Sequence, residues 1–157
     1  MATVTVEQFR AIPIELSRAF ELTLPMPLTA VFSQRYGLLP RVKEVRGHEG
    51  AWGQVGQTRT VVTTDGGTMR ELLTEVDAPH SFSYRLDEIT GPMSPLVKSI
   101  DGRWEFAAYG TGTLITWTLH PKGLGTGVLR PIVWMWRGYA RQALEILSEQ
   151  LHAADSN

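Results

Sequence analysis

The chain has no cysteine among its 157 residues. That excludes disulfides, thiolate metal sites and a cysteine nucleophile, and it is compatible with a reducing compartment. It also lacks charge of one dominant sign, with 15 Lys+Arg against 16 Asp+Glu and a net charge of -1. The basic footprint of a nucleic-acid binder is absent, so no nucleic-acid partner is expected. No apolar run approaches the roughly 18 residues of a membrane span, and Met1 to Glu7 has neither a basic start nor an apolar stretch. The expected location is cytoplasmic. The four histidines, His48, His80, His120 and His152, stand far apart, with neither His-x-His nor His-Glu-x-x-His spacing. Without thiolates to help them they predict no metal, and no cofactor motif is present either. A Gly-x-Ser-x-Gly nucleophile elbow is missing too.

What is present is the composition of an ordinary globular protein, 43% hydrophobic and 20% charged, with 15 Gly and 9 Pro. A chain of about 150 residues buries roughly 70% of its unfolded surface, enough for one sizeable core. A single domain over residues 1–157 is expected, its core running from about 14 to 151. Five of the 14 aromatic residues are tryptophans. Rings of that size demand either a packed core or an enclosed space.

Along the chain, Ile14, Leu16, Phe20, Leu22 and Leu24 alternate with smaller or polar residues, which predicts a first strand ending at Pro25-Met26-Pro27. Leu28, Val31, Phe32 and Tyr36 recur at helical spacing before Gly37, and Leu38-Leu39-Pro40 is a candidate second turn. One or two short helices are expected there. From Val42 to His120 the pattern becomes strands separated by turn signals: Val42 to His48, Val55 to Thr64, Thr68 to Val76, a strand carrying Phe82, Tyr84 and Leu86, one carrying Trp104 and Phe106, and one carrying Ile115, Trp117 and Leu119. Asp65-Gly66-Gly67 and Gly110-Thr111-Gly112 read as hairpin turns, Gly102 as a bulge, and residues 90–95 as a loop broken by two prolines. Leu129, Ile132, Val133, Trp136, Ala140, Ala143, Leu144, Leu147 and Leu151 then mark one face of a long helix. An antiparallel meander with one apolar face needs a cover, and that helix needs a surface to lie on. The expectation is an α+β fold in which a seven-stranded antiparallel sheet is covered by a long C-terminal helix.

The strings Gly56-Gln57-Thr58-Arg59, Gly67-Thr68-Met69-Arg70-Glu71 and Phe82-Ser83-Tyr84-Arg85, followed by Gly112-Thr113-Leu114-Ile115-Thr116-Trp117 and the long helix, carry a family likeness. In order and spacing the chain resembles the START-like (SRPBCC) superfamily, whose helix-grip fold is shared by birch-pollen allergen-like proteins, START lipid-transfer domains and the polyketide cyclase/dehydrase family. The resemblance covers roughly Ile14 to Leu151. It implies a curved seven-stranded antiparallel sheet wrapped around the C-terminal helix, with an internal cavity for an apolar small molecule. It implies no catalytic set, because the superfamily has none in common.

Within that frame Trp104, Phe106, Trp117, Tyr84, Trp136, Phe82, Ile115 and Val133 are candidate ligand-contacting residues, with Arg59 and Glu71 as the preferred polar pair because they lie on the two arms of the Asp65 hairpin. The bland reading is that the rings simply pack and the charges face water. Trp52, Met93, Trp134 and Met135 are candidates for a cavity rim, Met being adaptable to a flexible guest. His48-Glu49 is a possible general base at the mouth, though the glycines beside it suggest an exposed turn. Gly123, Gly125 and Gly127 have the wrong spacing for a phosphate loop and read as a hinge. Lys122, Arg130, Arg137 and Arg141 make a basic stretch suited at most to transient contact with an anionic membrane surface.

Three functions fit. The first is binding or carriage of a lipid, isoprenoid or polyketide-like aromatic, by a monomer or homodimer that is not an enzyme. The second is a cyclase or dehydratase-like enzyme in which Glu71, Arg59, Tyr84 and bound water handle protons. The third is a protein-interaction or regulatory module.

Overall fold

The structure, a computed structural model, describes residues 2–47, 50–123 and 126–156. In chain order the elements are β1 (Ala2–Thr3), β2 (Val6–Ile12), α1 (Leu16–Thr23), α2 (Leu28–Val31), β3 (Val42–Arg46), β4 (Thr58–Thr63), β5 (Thr68–Asp77), β6 (Ser81–Asp87), β7 (Val97–Tyr109), β8 (Gly112–Gly123) and α3 (Thr126–Asp155). Strands β3 to β8 form an antiparallel meander in sequence order, and β1 and β2 run end to end along the free edge of β8. Seven strand positions result, with the start of the chain paired to its last strand. Register shifts in β3, β5 and β7 add the local bends that let such a sheet curve. The inward side chains of the sheet and the Trp136, Ala140, Ala143, Leu144, Leu147 and Leu151 stripe of α3 share one core.

The expected first strand at residues 14–24 is instead a helix. Leu16, Ala19, Phe20, Thr23 and Leu24 follow the i, i+3, i+4, i+7, i+8 spacing of a helical stripe, and Ala19, Phe20 and Thr23 are buried. Both periods are written in the same residues. The helical one wins because Leu, Ala, Glu and Arg are good helix formers, and because Glu15 caps the start, its carboxylate accepting from the Ser17 and Arg18 amides at 3.0 and 3.1 Å. Those two amides also hold the Glu15 carboxyl below its usual pKa.

The true edge strand is β2, which shows little alternation: only Val6 and Ile12 are buried, and Phe9 is 67% exposed. The count of seven is right because this unexpected strand replaces the misread one. Helix α2 is only one turn, Leu28–Val31, shorter than the spacing to Tyr36 suggested. Tyr36 instead lies against α3, where any side chain on Gly138 would overlap its ring.

Gly102 is not a bulge. It pairs directly with Tyr84 on β6, and a Cβ there would overlap the Tyr84 ring, so glycine is needed for that ring to lie across β7. The hairpin at Asp65-Gly66-Gly67 forms as expected, with the Asp65 carboxylate accepting from the Gly67 amide and the Thr63 hydroxyl. The expected hinge is mostly not one: Lys122 and Gly123 belong to β8, Gly127 lies within α3, and Leu124 and Gly125 fall outside the described residues. Helix α3 runs 30 residues, seven more than Leu129 to Leu151, and places Pro131 in its second turn. The side chains of Leu129 and Ile132 are likewise outside the described set.

Candidate functional site

Between the inner face of the sheet and α3 lies a cavity of about 160 Å³. Its walls come from α2 and the chain after it (Leu28, Val31, Phe32, Leu39), from β4 and β5 (Arg59, Val61, Met69, Glu71), from β6 (Phe82, Tyr84, Leu86), from Trp104 and Trp117, and from Trp136 and Tyr139 of α3. The helix stripe and the alternating strands both aim apolar side chains here. Trp104 and Trp117 stack with centroids 5.0 Å apart, and Phe32 tilts onto Trp117 at 5.2 Å.

One polar row crosses this apolar wall from strand to strand. The Asp65 hairpin sets Arg59 directly opposite Glu71, and the Arg59 Nε donates to Glu71 Oε1 at 2.7 Å. Arg59 is 6% exposed and Glu71 5%. The Trp52 ring covers one face of the guanidinium, 3.9 Å from Cζ to its centroid. On β6 the Tyr84 hydroxyl accepts from the Trp117 indole N–H at 2.7 Å. Burial, and then the charge of Glu71, push the Tyr84 phenol far above its usual pKa. It therefore stays protonated, a hydrogen-bond donor and not a base. Tyr139 is raised as well, by burial alone, and donates to the Pro40 carbonyl at 2.7 Å.

Residues 3–152 match the family described as "Polyketide cyclase / dehydrase and lipid transport". The chain belongs to this family. Among solved structures it is similar to the ginseng major latex-like protein 151 from Panax ginseng, at TM-score 0.71 and 17% identity over 96% of this chain and 98% of that one. It is also similar to Ara h 8.0201, at TM-score 0.66 and 15% identity over 97% and 99%. At such identities the likeness shows the fold alone. No curated protein matches the chain in sequence.

In this member of the polyketide cyclase/dehydrase and lipid transport family the expected site residues fall in more than one place. Trp104, Trp117, Tyr84, Trp136, Phe82, Arg59, Glu71 and Met93 all line the cavity. Phe106 and Ile115 do not. They are buried at the α1 end of the sheet, where Phe20 meets Phe106 edge-on at 5.2 Å and fills the space. Val133 is half-buried and packs on the core without lining the cavity. Of the expected rim, Trp52 is a buried wall residue held by Arg59, and Met135 lies half-buried under Gly37. Trp134 is 74% exposed on the outer side of α3, between Arg130 and Arg137, and has no part in the wall. Arg130, Arg137 and Arg141 are exposed on that same side, but Lys122 is bonded to Asp101 at 3.0 Å and does not belong with them. His48 and Glu49 lie outside the described residues.

Sequence reasoning missed Tyr139, Phe32, Val61 and Met69 as wall residues. Tyr139 sits three residues after Trp136, and Val61 and Met69 flank the Arg59–Glu71 rung on the same strand faces, so spacing carried a signal for these three but not for Phe32. Among the described residues no helix is long and apolar enough to cross a membrane.

Proposed function

We propose that this protein binds and carries an apolar or amphipathic small molecule in the cavity between the sheet and α3. The observation that carries this reading is an interior of about 160 Å³ walled by aromatic and aliphatic side chains and interrupted by the buried Arg59–Glu71 ion pair. Fully packed domains hold few voids larger than a water molecule, and an apolar cavity of this size is large enough to admit a single aromatic ring. Met26, Met69 and Met93 in the wall can yield to a longer guest such as an isoprenoid or acyl chain. Membership of the family supports the reading, since its description joins lipid transport to enzymes acting on polyketides.

Native mass spectrometry on protein purified from its own host is expected to show a co-purifying small molecule. Saturable binding of an apolar probe should be lost on Met69→Trp, which puts a ring into the cavity. Unchanged binding in that variant would place the probe elsewhere and sink the reading.

A cyclase or dehydratase-like activity is the second reading, favoured by the convergence of Arg59, Glu71 and Tyr84 on one cavity. There Tyr84 would donate to a developing oxyanion and Glu71 would take the proton. An identified substrate turned over equally well by Glu71→Gln would exclude that role for Glu71.

A further inference from the structure

The polar row presents more donors than the protein satisfies. A guanidinium has five N–H donors, and Arg59 spends one of them, at Nε, on Glu71. Its two terminal nitrogens reach no acceptor among the described residues, although the side chain is buried in the cavity wall. The Tyr84 hydroxyl accepts from Trp117, and its own proton finds no acceptor among the described residues. Buried donors left unmatched are costly, and a native structure that keeps them calls for a partner from outside the chain. The hydroxyls of Thr23 and Thr63, which also reach this cavity, are already committed to the Ala19 carbonyl and to Asp65 and Gly67. Among the described residues no acceptor is left for these Arg59 and Tyr84 donors.

Charge narrows the partner further. The Arg59 cation is paired with Glu71 at 2.7 Å, and among the described residues that line the cavity no other side chain carries a positive charge to compensate an incoming carboxylate. Such an anion would lose its water and meet the field of Glu71. A carbonyl oxygen loses far less water and still takes a charge-assisted bond from the guanidinium.

We propose that the ligand of this cavity is a neutral apolar molecule bearing a carbonyl oxygen, such as a ketone, ester, lactone or quinone, and that Arg59 and Tyr84 select it over the free acid and the plain hydrocarbon. The inference rests on the binding reading above and adds the chemical class.

Three single-ring probes of nearly equal shape separate the chemical class from binding itself: cumene, acetophenone and benzoate, titrated at neutral pH against the indole N–H signals of the tryptophans by NMR. In the double variant Arg59→Met/Glu71→Leu, which keeps the volume apolar, the affinity ratio of acetophenone to cumene should fall about tenfold, the worth of one charge-assisted hydrogen bond. Tyr84→Phe should lower the same ratio by a smaller factor, and it serves if the double variant does not fold. Glu71→Gln, its fold checked by the same spectra, should raise benzoate affinity about tenfold by exposing the Arg59 charge. A ratio unchanged in both the double variant and Tyr84→Phe would mean that water satisfies these donors, and the selectivity would be wrong while binding stood. Benzoate binding the native protein as tightly as acetophenone would refute the neutrality requirement. Failure of all three probes, cumene included, would overturn the binding reading itself.

Discussion

On the outer face of the sheet Arg70 meets Asp87 with a bidentate pair of hydrogen bonds at 2.9 and 3.0 Å, whereas one residue further along β5 Glu71 turns inward and meets Arg59 at 2.7 Å. The chemistry is the same and the surroundings are opposite. The outer pair is part of a ladder of half-exposed partners that continues through Arg103 with Glu75, Arg85 with Asp101 and Lys122 with Asp101. Water and salt screen every rung of it, and each position can lose its partner to solvent at small cost. The inner pair is buried from bulk solvent, so removing one member leaves the other's charge without the compensation that surface screening would otherwise supply. Strand alternation, one residue out and one in, is all that separates the solvated outer ladder from the wall of the cavity.

The sharpest way to break this contrast is to halve each pair. Glu71→Ala leaves a buried guanidinium uncompensated and should cost about 3–5 kcal/mol in chemical denaturation, whereas Arg59→Met/Glu71→Leu should be close to neutral. If the single variant were as stable as the native protein, Arg59 would have to be hydrated and the interior wetter than its walls suggest. Gly102→Ala comes next, because its methyl overlaps the buried Tyr84 ring. A loss of about 1–3 kcal/mol is expected, together with a shift of the Trp117 indole signal as its bond to Tyr84 is disturbed. Gly138→Ala should cost less, since Tyr36 is only partly buried and alanine favours the helix by about 1 kcal/mol.

On the outer face, Arg70→Met should lower the denaturation midpoint only slightly at neutral pH, because the pair is half-exposed. That small difference should close on acidification. The Arg70 hydrogen bond and charge hold the Asp87 carboxyl below its usual value, so the stability it contributes is present above the ordinary aspartate pKa of about 3.9 and is lost as pH falls through the depressed one. The native protein should show that loss, and Arg70→Met should show less of it. The inner face sets the opposite limit. With its folded pKa raised, Tyr84 keeps its proton when the unfolded chain gives it up, so stability should fall as pH rises beyond about 10, and Tyr84→Phe should flatten that alkaline slope. Denaturation midpoints measured from pH 3 to 11 would check both limbs in a single series.

Much of this contrast is legible in the sequence. The Arg59–Glu71 rung follows from the hairpin: once the chain reverses about Asp65, residues equidistant from Asp65 pair, and they share one face of the sheet. The C-terminal stripe and the meander are legible for the same reason, because each repeats one period over many residues. Residues 14–24 are not, because strand and helix periods coincide there and only the Glu15 cap and the packing of Phe20 decide between them. Strand β2 is hidden because an edge strand with one half-covered face needs little alternation. Trp52 illustrates a third case. Its glycine-rich neighbourhood suggests exposure, yet the Arg59 guanidinium holds its ring in the wall.

Local pattern therefore determined the meander, the long C-terminal helix, the hairpin register and the shared face of Arg59 and Glu71, since these depend on period and turn chemistry within a few residues. It could not decide which inward rings touch empty space. Phe106 and Trp104 lie on the same face of the same strand, two residues apart, and one is packed by Phe20 while the other borders the cavity. That difference is made by α1, which fills one end of the concave sheet and leaves the other open. A void is the place where distant segments fail to meet, so only the tertiary structure could locate it.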